Sequence, residues 1–228
     1  MASELPIAPP DESGWTYAPP TDPWLVEVYA DRDLIVIDKP CGLLSVPGRG
    51  PGLEDSALSR LAGRHPAVYA AHRLDMDTSG LLVVALRRKA EANLLAQFRE
   101  RTVEKVYIAR VAGHPRLDEG RIDLPLSRIE GAPRSRVDPA GRPAVTRWKV
   151  LARDPDGTAR IALSPETGRS HQLRLHLLSL GHPILGDRFY APPEVVAAAP
   201  RLMLHAAELA FAHPYSGQRM RLSAPPPF

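Results

Sequence analysis

One segment joins a polar turn directly to an apolar strand. Residues 70–85 read A-A-H-R-L-D-M-D-T-S-G-L-L-V-V-A. The apolar run over residues 80–86 has the length of a strand and predicts that this strand is buried. The turn before it brings together side chains of several chemical kinds, namely His72, Arg73, Asp75, Asp77, Thr78 and Ser79.

The spacing of this turn leaves two interpretations open. Asp-x-Thr-Ser-Gly is a good turn sequence, because aspartate and hydroxyl side chains hydrogen-bond the backbone two residues on. The same segment also places a carboxylate within a few residues of a cation, a candidate base and two hydroxyls, which is the composition of a catalytic site.

Composition limits the class of protein. The chain has 228 residues, which suits one large domain or two fused lobes with a substantial core. Its net charge is +3, and its main cation is arginine, which suits bidentate phosphate contacts and base stacking. An RNA partner is therefore permitted. The single cysteine, Cys41, excludes an internal disulfide framework and is interpreted as a small buried side chain.

The N-terminal residues predict an arm rather than a domain. Residues 1–23 are rich in proline and are expected to be loose or pinned by Trp15 and Trp24, and residues 24–228 are expected to form the folded domain. The sequence lacks a signal peptide's charged and apolar regions and any long uncharged apolar stretch. We therefore expect a cytoplasmic protein that does not contact membranes.

The histidines do not predict a metal site. His171 and His176 are five residues apart, so they do not share a helical face. With one cysteine elsewhere in the chain, zinc binding is not expected. Loop 39–50, K-P-C-G-L-L-S-V-P-G-R-G, lacks the Gly-Lys-Ser/Thr ending of a nucleotide-binding loop, so binding of a nucleoside triphosphate is not expected either.

The predicted strands come mainly as hairpins, which dictate antiparallel pairing. Strands are expected at residues 25–29, 34–38, 80–86, 105–111, 145–153, 158–165, 202–206, 208–212 and 220–223. Helices are expected at residues 55–63, capped by Asp55, at residues 89–101, and after an N-cap at Ser170. The pattern predicts a mixed α/β fold with a largely antiparallel sheet.

Residues 113–143 are expected to form a long arginine-rich connection. Between residues 127 and 143 only Glu130 and Asp138 oppose four arginines. An ordinary solvated loop is one interpretation. We favour a surface that contacts RNA phosphates and includes Arg134 and Arg136, because such contacts position RNA without reading its sequence.

Several motifs occur in an order that resembles one family. They are Lys-Pro-x-Gly-Leu, His-Arg-Leu-Asp with Thr-Ser-Gly-Leu-Leu, Lys-x-Tyr-x-Ala, Thr-Gly-Arg-x-His-Gln-Leu-Arg and a closing Leu-His-Ala. From about residue 24 to its end, the chain resembles the RluA family of RNA pseudouridine synthases. This resemblance implies a catalytic domain with a twisted sheet in two lobes around a central RNA-binding cleft.

The resemblance also implies roles for individual residues. Asp75 would be the catalytic residue, Tyr107 would lie against the target base, and Arg174 would pair with Asp75. Arg73 would enter the space that the extruded uridine leaves. Further RNA contacts are expected from the residues around these motifs, namely His72, Arg169, His171, Gln172 and Leu173.

The reaction implied is an isomerisation. The bond between uracil N1 and the ribose breaks, the base turns, and it rejoins through C5, so no cofactor or metal is expected. An ionised Asp75 in a water-excluding pocket needs a nearby cation. The sequence leaves open whether Asp75 attacks carbon or removes a proton from C2′.

The implied substrates are short folded RNA loops. Because the chain has no room for the accessory RNA-binding module ahead of the catalytic domain, it is similar to the family's short dual-specificity form. That form acts on uridine-32 in a tRNA anticodon stem-loop and on uridine-746 in a 23S rRNA hairpin. We expect a monomer. The alternatives are a pseudouridine synthase for other rRNA sites, an RNA N-glycosidase that uses Asp75 and Asp77 as paired carboxylates, and a non-catalytic RNA-binding protein.

Overall fold

The computed structural model describes residues 16–228. The strands are β1 (Val26–Ala30), β2 (Leu34–Lys39), β3 (Tyr69–Ala70), β4 (Ser79–Ala85), β5 (Glu104–Ala112), β6 (Glu119–Asp123), β7 (Leu126–Arg128), β8 (Ser135–Val137), β9 (Val145–Arg153), β10 (Thr158–Pro165), β11 (Leu204–Ala212) and β12 (Arg219–Ser223). The helices are α1 (Ala57–Ala62), α2 (Arg88–Glu100), α3 (Gln172–Ser179) and α4 (Pro193–Ala197). None of these helices is long and apolar enough to cross a membrane.

Ten strands form one sheet, in the order β1-β2-β4-β11-β5-β10-β9-β6, with β12 beside β11 and β3 beside β4. Within the described residues, only the pairing of β4 with β11 is parallel, and it covers two residue pairs. The strands β7 and β8 form a separate hairpin. The predicted mixed α/β fold with a largely antiparallel sheet is confirmed.

Both faces of β4 are covered, which explains its continuous apolar sequence. Leu81 and Val83 contribute to the core on one face, together with Ala90 and Leu94 of α2. Leu82 and Val84 contribute to a second core on the opposite face. A strand with two buried faces does not show the polar alternation of a half-exposed strand.

The start of β4 lies very close to β11. Gly80 has a φ of +112°, and a Cβ built on it would lie 2.4 Å from the carbonyl oxygen of Ala206. Only glycine fits this position, because any side chain would collide with the backbone. The short parallel contact therefore fixes the point at which the chain leaves the polar turn and enters the sheet.

Helix α1 is capped differently from the prediction. Ser56, not Asp55, is the N-cap, and it forms a capping box with Ser59. The Asp55 carboxylate instead accepts two hydrogen bonds from Arg60, at 2.8 and 2.7 Å. A serine at the N-cap leaves the aspartate free to pair with this buried arginine.

The prediction of a long connection over residues 113–143 was wrong, because this segment contains three strands. β6 pairs with β9 at the edge of the sheet, and β7 pairs with β8. Gly120 makes the β6 pairing possible, since a Cβ there would lie 2.9 Å from the Trp148 indole nitrogen. Ile122 is the single buried residue of β6, so the strand carries no apolar alternation that the sequence could show.

Two further boundaries differ from the sequence prediction. The N-cap of α3 is His171 rather than Ser170. The separate strands predicted at residues 202–206 and 208–212 are one strand, β11, with an irregular register between Ala206 and Glu208. The predicted arm at residues 1–23, with Trp15, lies mostly outside the described residues. From residue 16 onward the chain is packed on the domain: Tyr17 donates to the carbonyl of Asp55, and Arg60 donates to those of Trp24 and Pro20.

Candidate active site

Asp75 lies in a tight turn whose flanking peptides are both held by neighbouring segments. Ser45 Oγ donates to the Leu74 carbonyl at 2.8 Å and accepts from the Leu74 amide at 3.0 Å. The Met76 carbonyl accepts from the Gly42 amide at 3.0 Å and from Lys39 Nζ at 2.9 Å. The backbone on each side of Asp75 is therefore fixed by the Lys-Pro-x-Gly-Leu segment and the serine that follows it.

Lys39 is completely buried at the end of β2. Besides the Met76 carbonyl, its ammonium donates to the carbonyls of Pro40 at 2.8 Å and Leu43 at 2.7 Å. Three acceptors match the three N–H bonds of an ammonium group. Burial lowers the pKa of Lys39 to about 7, although the charges of Cys41, Asp77 and Asp75 raise it.

Three of the predicted site residues, Tyr107, His171 and Arg174, are close enough to Asp75 for its charge to affect their pKa values. Asp75 itself remains 30 % exposed. Burial, followed by the charge of Asp75, raises the pKa of the Tyr107 phenol on β5, so Tyr107 stays protonated at neutral pH. His171 at the start of α3 is also near, with its Nε2 atom 3.9 Å from Asp75 Oδ2. These groups lie around a carboxylate that is partly open to solvent.

The predicted salt bridge between Arg174 and Asp75 was wrong. Arg174 pairs with Asp187: its Nε donates to Oδ2 at 2.9 Å, and its Nη2 donates to Oδ1. The two side chains are 3 % and 1 % exposed. Burial lowers the pKa of Arg174, but hydrogen bonding to Asp187 and the charges of Asp187 and Asp75 raise it overall. Arg174 therefore contributes positive potential near Asp75 without a direct ion pair.

The predicted RNA contacts on α3 are largely occupied inside the protein. Gln172 is buried, accepting from Thr167 Oγ1 and the Arg169 amide and donating to the Val145 carbonyl and to Thr146 Oγ1. Leu173 packs in the core. These contacts give both residues a structural role, connecting the start of α3 to the start of β9, and they lend no support to RNA contacts.

The two basic residues before Asp75, His72 and Arg73, differ in their exposure and contacts. His72 accepts a hydrogen bond from the Val83 amide at 3.0 Å and stacks on Phe98 with ring centroids 4.6 Å apart. Burial lowers its pKa to about 3, so the imidazole is neutral. These contacts indicate a structural role. Arg73, in contrast, is exposed beside the turn that holds Asp75.

The remaining predicted contacts are accessible. Arg169 is partly exposed and donates from Nε to the Pro143 carbonyl at 3.1 Å. Arg136 on β8 is exposed and lies 3.5 Å from Asp138. Arg134 is partly exposed, and its guanidinium carbon lies 5.3 Å from the Phe189 ring centroid. RNA binding by these residues stays a prediction.

Sequence reasoning missed the segment at residues 184–190, I-L-G-D-R-F-Y. Asp187 in this segment pairs with Arg174, and the Tyr190 hydroxyl lies 2.6 Å from His171 Nδ1. Phe189 stacks on His171 with centroids 5.5 Å apart. The available signal was an acidic residue in a segment with several large apolar residues, 13 positions after the arginine that ends the Thr-Gly-Arg-x-His-Gln-Leu-Arg motif, since a buried acid needs a charged partner.

One cluster of side chains has the composition of a metal site. Asp31, Asp33 and His213 lie within reach of a shared ion, at the turn between β1 and β2. His213 Nε2 already contacts Asp31 Oδ2 at 2.9 Å, and Asp33 pairs with Arg32 and Arg87 at 3.3 and 3.4 Å. The cluster shares no residue with the group of side chains around Asp75. That the protein needs no metal stays a prediction.

The family model for RNA pseudouridylate synthases matches residues 33–179, which include the turn with Asp75 and all of α3. The chain belongs to this family. It is an isomerase that acts on RNA, and the predicted family and activity are confirmed.

Two curated relatives match this synthase over nearly their full length. It is 53 % identical over 215 residues to the "Dual-specificity RNA pseudouridine synthase RluA" of Pasteurella multocida, covering 93 % of this chain and 98 % of the relative. It is 52 % identical over 214 residues to the protein of the same name from Escherichia coli strain K12, with the same coverage.

Solved structures have the same fold. Human RNA Pseudouridylate Synthase Domain Containing 1 superposes with a TM-score of 0.74 at 31 % identity, covering 90 % of this chain and 84 % of the human one. Human RNA Pseudouridylate Synthase Domain Containing 4 gives a TM-score of 0.70 at 26 % identity, covering 89 % and 88 %.

Proposed function

We propose that this synthase is dual-specific and converts uridine to pseudouridine in both a tRNA anticodon stem-loop and a 23S rRNA hairpin. The observation that carries the proposal is its identity of 52–53 % to relatives named as dual-specificity enzymes, across 98 % of their length. A site that grips a short folded loop by shape and backbone contacts accepts that loop in more than one RNA.

The proposed chemistry starts at Asp75. Its carboxylate attacks carbon or removes the C2′ proton, and the neighbouring peptides hold it in place through Ser45 and Lys39. Arg73 is exposed and close enough in sequence to fill the space left by the extruded uridine, whose unstacking costs a few kcal/mol. Tyr107, protonated and close enough to Asp75 to be affected by its charge, stacks on the base and assists the net proton transfer, in which C5 loses its proton and N1 gains one.

Arginines on the β7–β8 hairpin are proposed to bind phosphates. Arg128 and Arg136 are exposed on adjacent strands, directly beside Ser135, which hydrogen-bonds the site through Tyr190. Each phosphate contact releases a counterion, so Arg136→Ala should weaken binding and reduce the slope of log affinity against log salt by about 1. Arg221→Ala on β12, also exposed, is the matched control and should leave the slope unchanged.

The deciding experiment offers the purified protein a tRNA anticodon stem-loop, a 23S rRNA hairpin and intact ribosomal particles. Carbodiimide mapping locates pseudouridine, and mass spectrometry checks that RNA mass is unchanged. We expect modification of both minimal hairpins. Activity confined to intact particles would overturn the dual-specificity proposal and place the protein with synthases for other rRNA sites, and release of free base would identify an N-glycosidase.

A further inference from the structure

A chain of polar contacts runs from the β7–β8 hairpin to Asp75. The Ser135 amide donates to the Tyr190 hydroxyl at 2.9 Å. That hydroxyl lies 2.6 Å from His171 Nδ1, and His171 Nε2 lies 3.9 Å from Asp75 Oδ2. Ser135, Tyr190 and His171 are all buried. The family resemblance makes His171 an expected RNA contact, but it assigns no role to Tyr190.

The backbone of His171 is held in an uncommon conformation. Its φ is +56°, in the left-handed region, at a helix N-cap where an extended backbone is the rule. Phe189 and Tyr190 pack against its ring at centroid distances of 5.5 Å each. Strained conformations persist where the surrounding structure maintains them, often at functional sites. Here the conformation places the imidazole between Tyr190 and Asp75.

The contacts select one tautomer of His171. Burial lowers the pKa of His171 and raises that of Tyr190 to about 12, so the imidazole is neutral and the phenol keeps its proton. The phenol oxygen accepts from Ser135, and among the described hydrogen-bond partners of this hydroxyl only His171 Nδ1 can accept its hydrogen. A neutral imidazole with an accepting Nδ1 carries its proton on Nε2. That N–H is on the side of the Asp75 carboxylate.

We infer that Tyr190 is a positioning residue, whose hydroxyl holds His171 in the Nε2–H tautomer and thereby orients the carboxylate of Asp75. A separation of 3.9 Å is longer than a hydrogen bond. Contacts of this kind are often long in the free enzyme and shorten when substrate binds. A neutral donor orients the carboxylate without placing a second positive charge beside Arg174.

The same chain connects the site to RNA binding. Arg134 precedes Ser135, lies over the Phe189 ring, and has a buried Nη2 atom that lacks a hydrogen-bond partner among the described residues. RNA bound to the exposed part of the Arg134 side chain would restrain Ser135 and Phe189, which are the residues that hold Tyr190 and His171.

The first test observes the tautomer directly. ¹⁵N spectra of imidazole-labelled wild-type protein at neutral pH, assigned with His171→Gln, should show His171 with an unprotonated Nδ1 and a protonated Nε2. The Tyr190→Phe variant should lose this preference. A wild-type His171 that carries its proton on Nδ1, or on both nitrogens, would overturn the inference without reference to any variant's folding.

The second test separates positioning from a structural role. Single-turnover rates over a range of RNA concentrations give a maximal rate and an apparent dissociation constant. Tyr190→Phe should lower the maximal rate roughly tenfold, the effect of one positioned hydrogen bond. It should add little to His171→Ala, because Tyr190 acts through His171. His171→Gln, whose amide nitrogen can replace Nε2–H, should recover most of the rate whether or not the Tyr190 hydroxyl is present.

Two kinetic results would contradict the inference. One is a Tyr190→Phe variant with a raised dissociation constant and an unchanged maximal rate, which would limit Tyr190 to holding the hairpin. The other is independent, multiplicative effects of Tyr190→Phe and His171→Ala. Tyr215→Phe, at an exposed tyrosine elsewhere, is the matched control and should leave both constants unchanged. The kinetic test rests on the catalytic role of Asp75, which Asp75→Asn tests separately, whereas the tautomer measurement does not depend on it.

Discussion

Single side chains fix the position of Asp75 more directly than any helix or strand does. Ser45 binds both backbone groups of Leu74, and Lys39 binds the carbonyl of Met76. Burying an ammonium is unfavourable unless its N–H groups are satisfied, and here three carbonyls satisfy them. The contacts of Lys39 with the turn therefore explain why the Lys-Pro-x-Gly-Leu motif begins with a lysine. No contact between this lysine and the substrate is needed to explain it.

Lys39 predicts a specific pH dependence of stability. Folding lowers its pKa from 10.5 to about 7, so between these values the unfolded chain binds more protons than the folded protein. The free energy of unfolding must then rise with pH in this window, by up to about 1.4 kcal/mol per pH unit. Lys39→Met lacks this contribution and should be destabilised by about 1–3 kcal/mol or more, since buried carbonyls lose their donor.

The measurement is denaturant unfolding of both proteins at several values between about pH 7 and about pH 9.5. The stability difference between wild type and Lys39→Met should grow with pH, because other titrating groups affect both proteins alike. Parallel curves would show that Lys39 does not release its proton in this range.

The sequence predicted the segments that meet around Asp75 but not all of their contacts. The turn with Asp75 and the strand with Tyr107 could be identified because their motifs are local and continuous. The partner of Arg174 could not, because Asp187 approaches it only when residues 184–190 fold back on α3. A pairing between distant residues is decided by packing, which no local pattern encodes.

At the level of elements, the buried pair of Arg174 and Asp187 joins α3 to residues 184–190. Removing one charge leaves the other buried without a partner. Asp187→Asn should therefore destabilise the protein by about 3–5 kcal/mol. The double variant Arg174→Met with Asp187→Leu should recover much of this stability, since a well-packed apolar pair avoids the desolvation of both charges.

Thermal and denaturant unfolding measure these differences. Asp118→Asn removes the partner of Arg153 in an exposed pair and is the matched control, with an expected change below about 1 kcal/mol. A change in Asp187→Asn as small as that of the control would contradict the structural role assigned to the buried pair.

Elements with strong periodicity were predicted well, and polar ones were not. The hairpin of β9 and β10 was predicted with its observed bounds, because both strands alternate and a D-P-D-G turn joins them. The helix predicted at residues 89–101 lies one residue later than α2 in the structure. β6 was missed because it is an exposed edge strand, whose pairing with β9 depends on the close approach of Gly120 to Trp148.

The whole molecule brings these elements to one place. β4 connects the two halves of the ten-stranded sheet through its short parallel contact with β11. The turn before β4, the end of β2, the Tyr107 strand and the start of α3 all meet at that junction. The largely antiparallel fold followed from the predicted hairpins, but the parallel junction did not, because it pairs strands that are far apart in sequence.

Replacing Asp75 tests whether this junction is the catalytic centre. Asp75→Asn keeps the shape of the side chain and removes its charge, while the contacts of Leu74, Met76 and the exposed arginines remain. Single-turnover assays on a tRNA anticodon stem-loop should then detect no pseudouridine, and binding assays should give an RNA affinity close to wild type. Asp77→Asn, two residues away in a partly buried pair with Arg188, is the matched control and should retain most activity. Normal pseudouridine formation by Asp75→Asn would contradict the assignment of the reaction to this carboxylate.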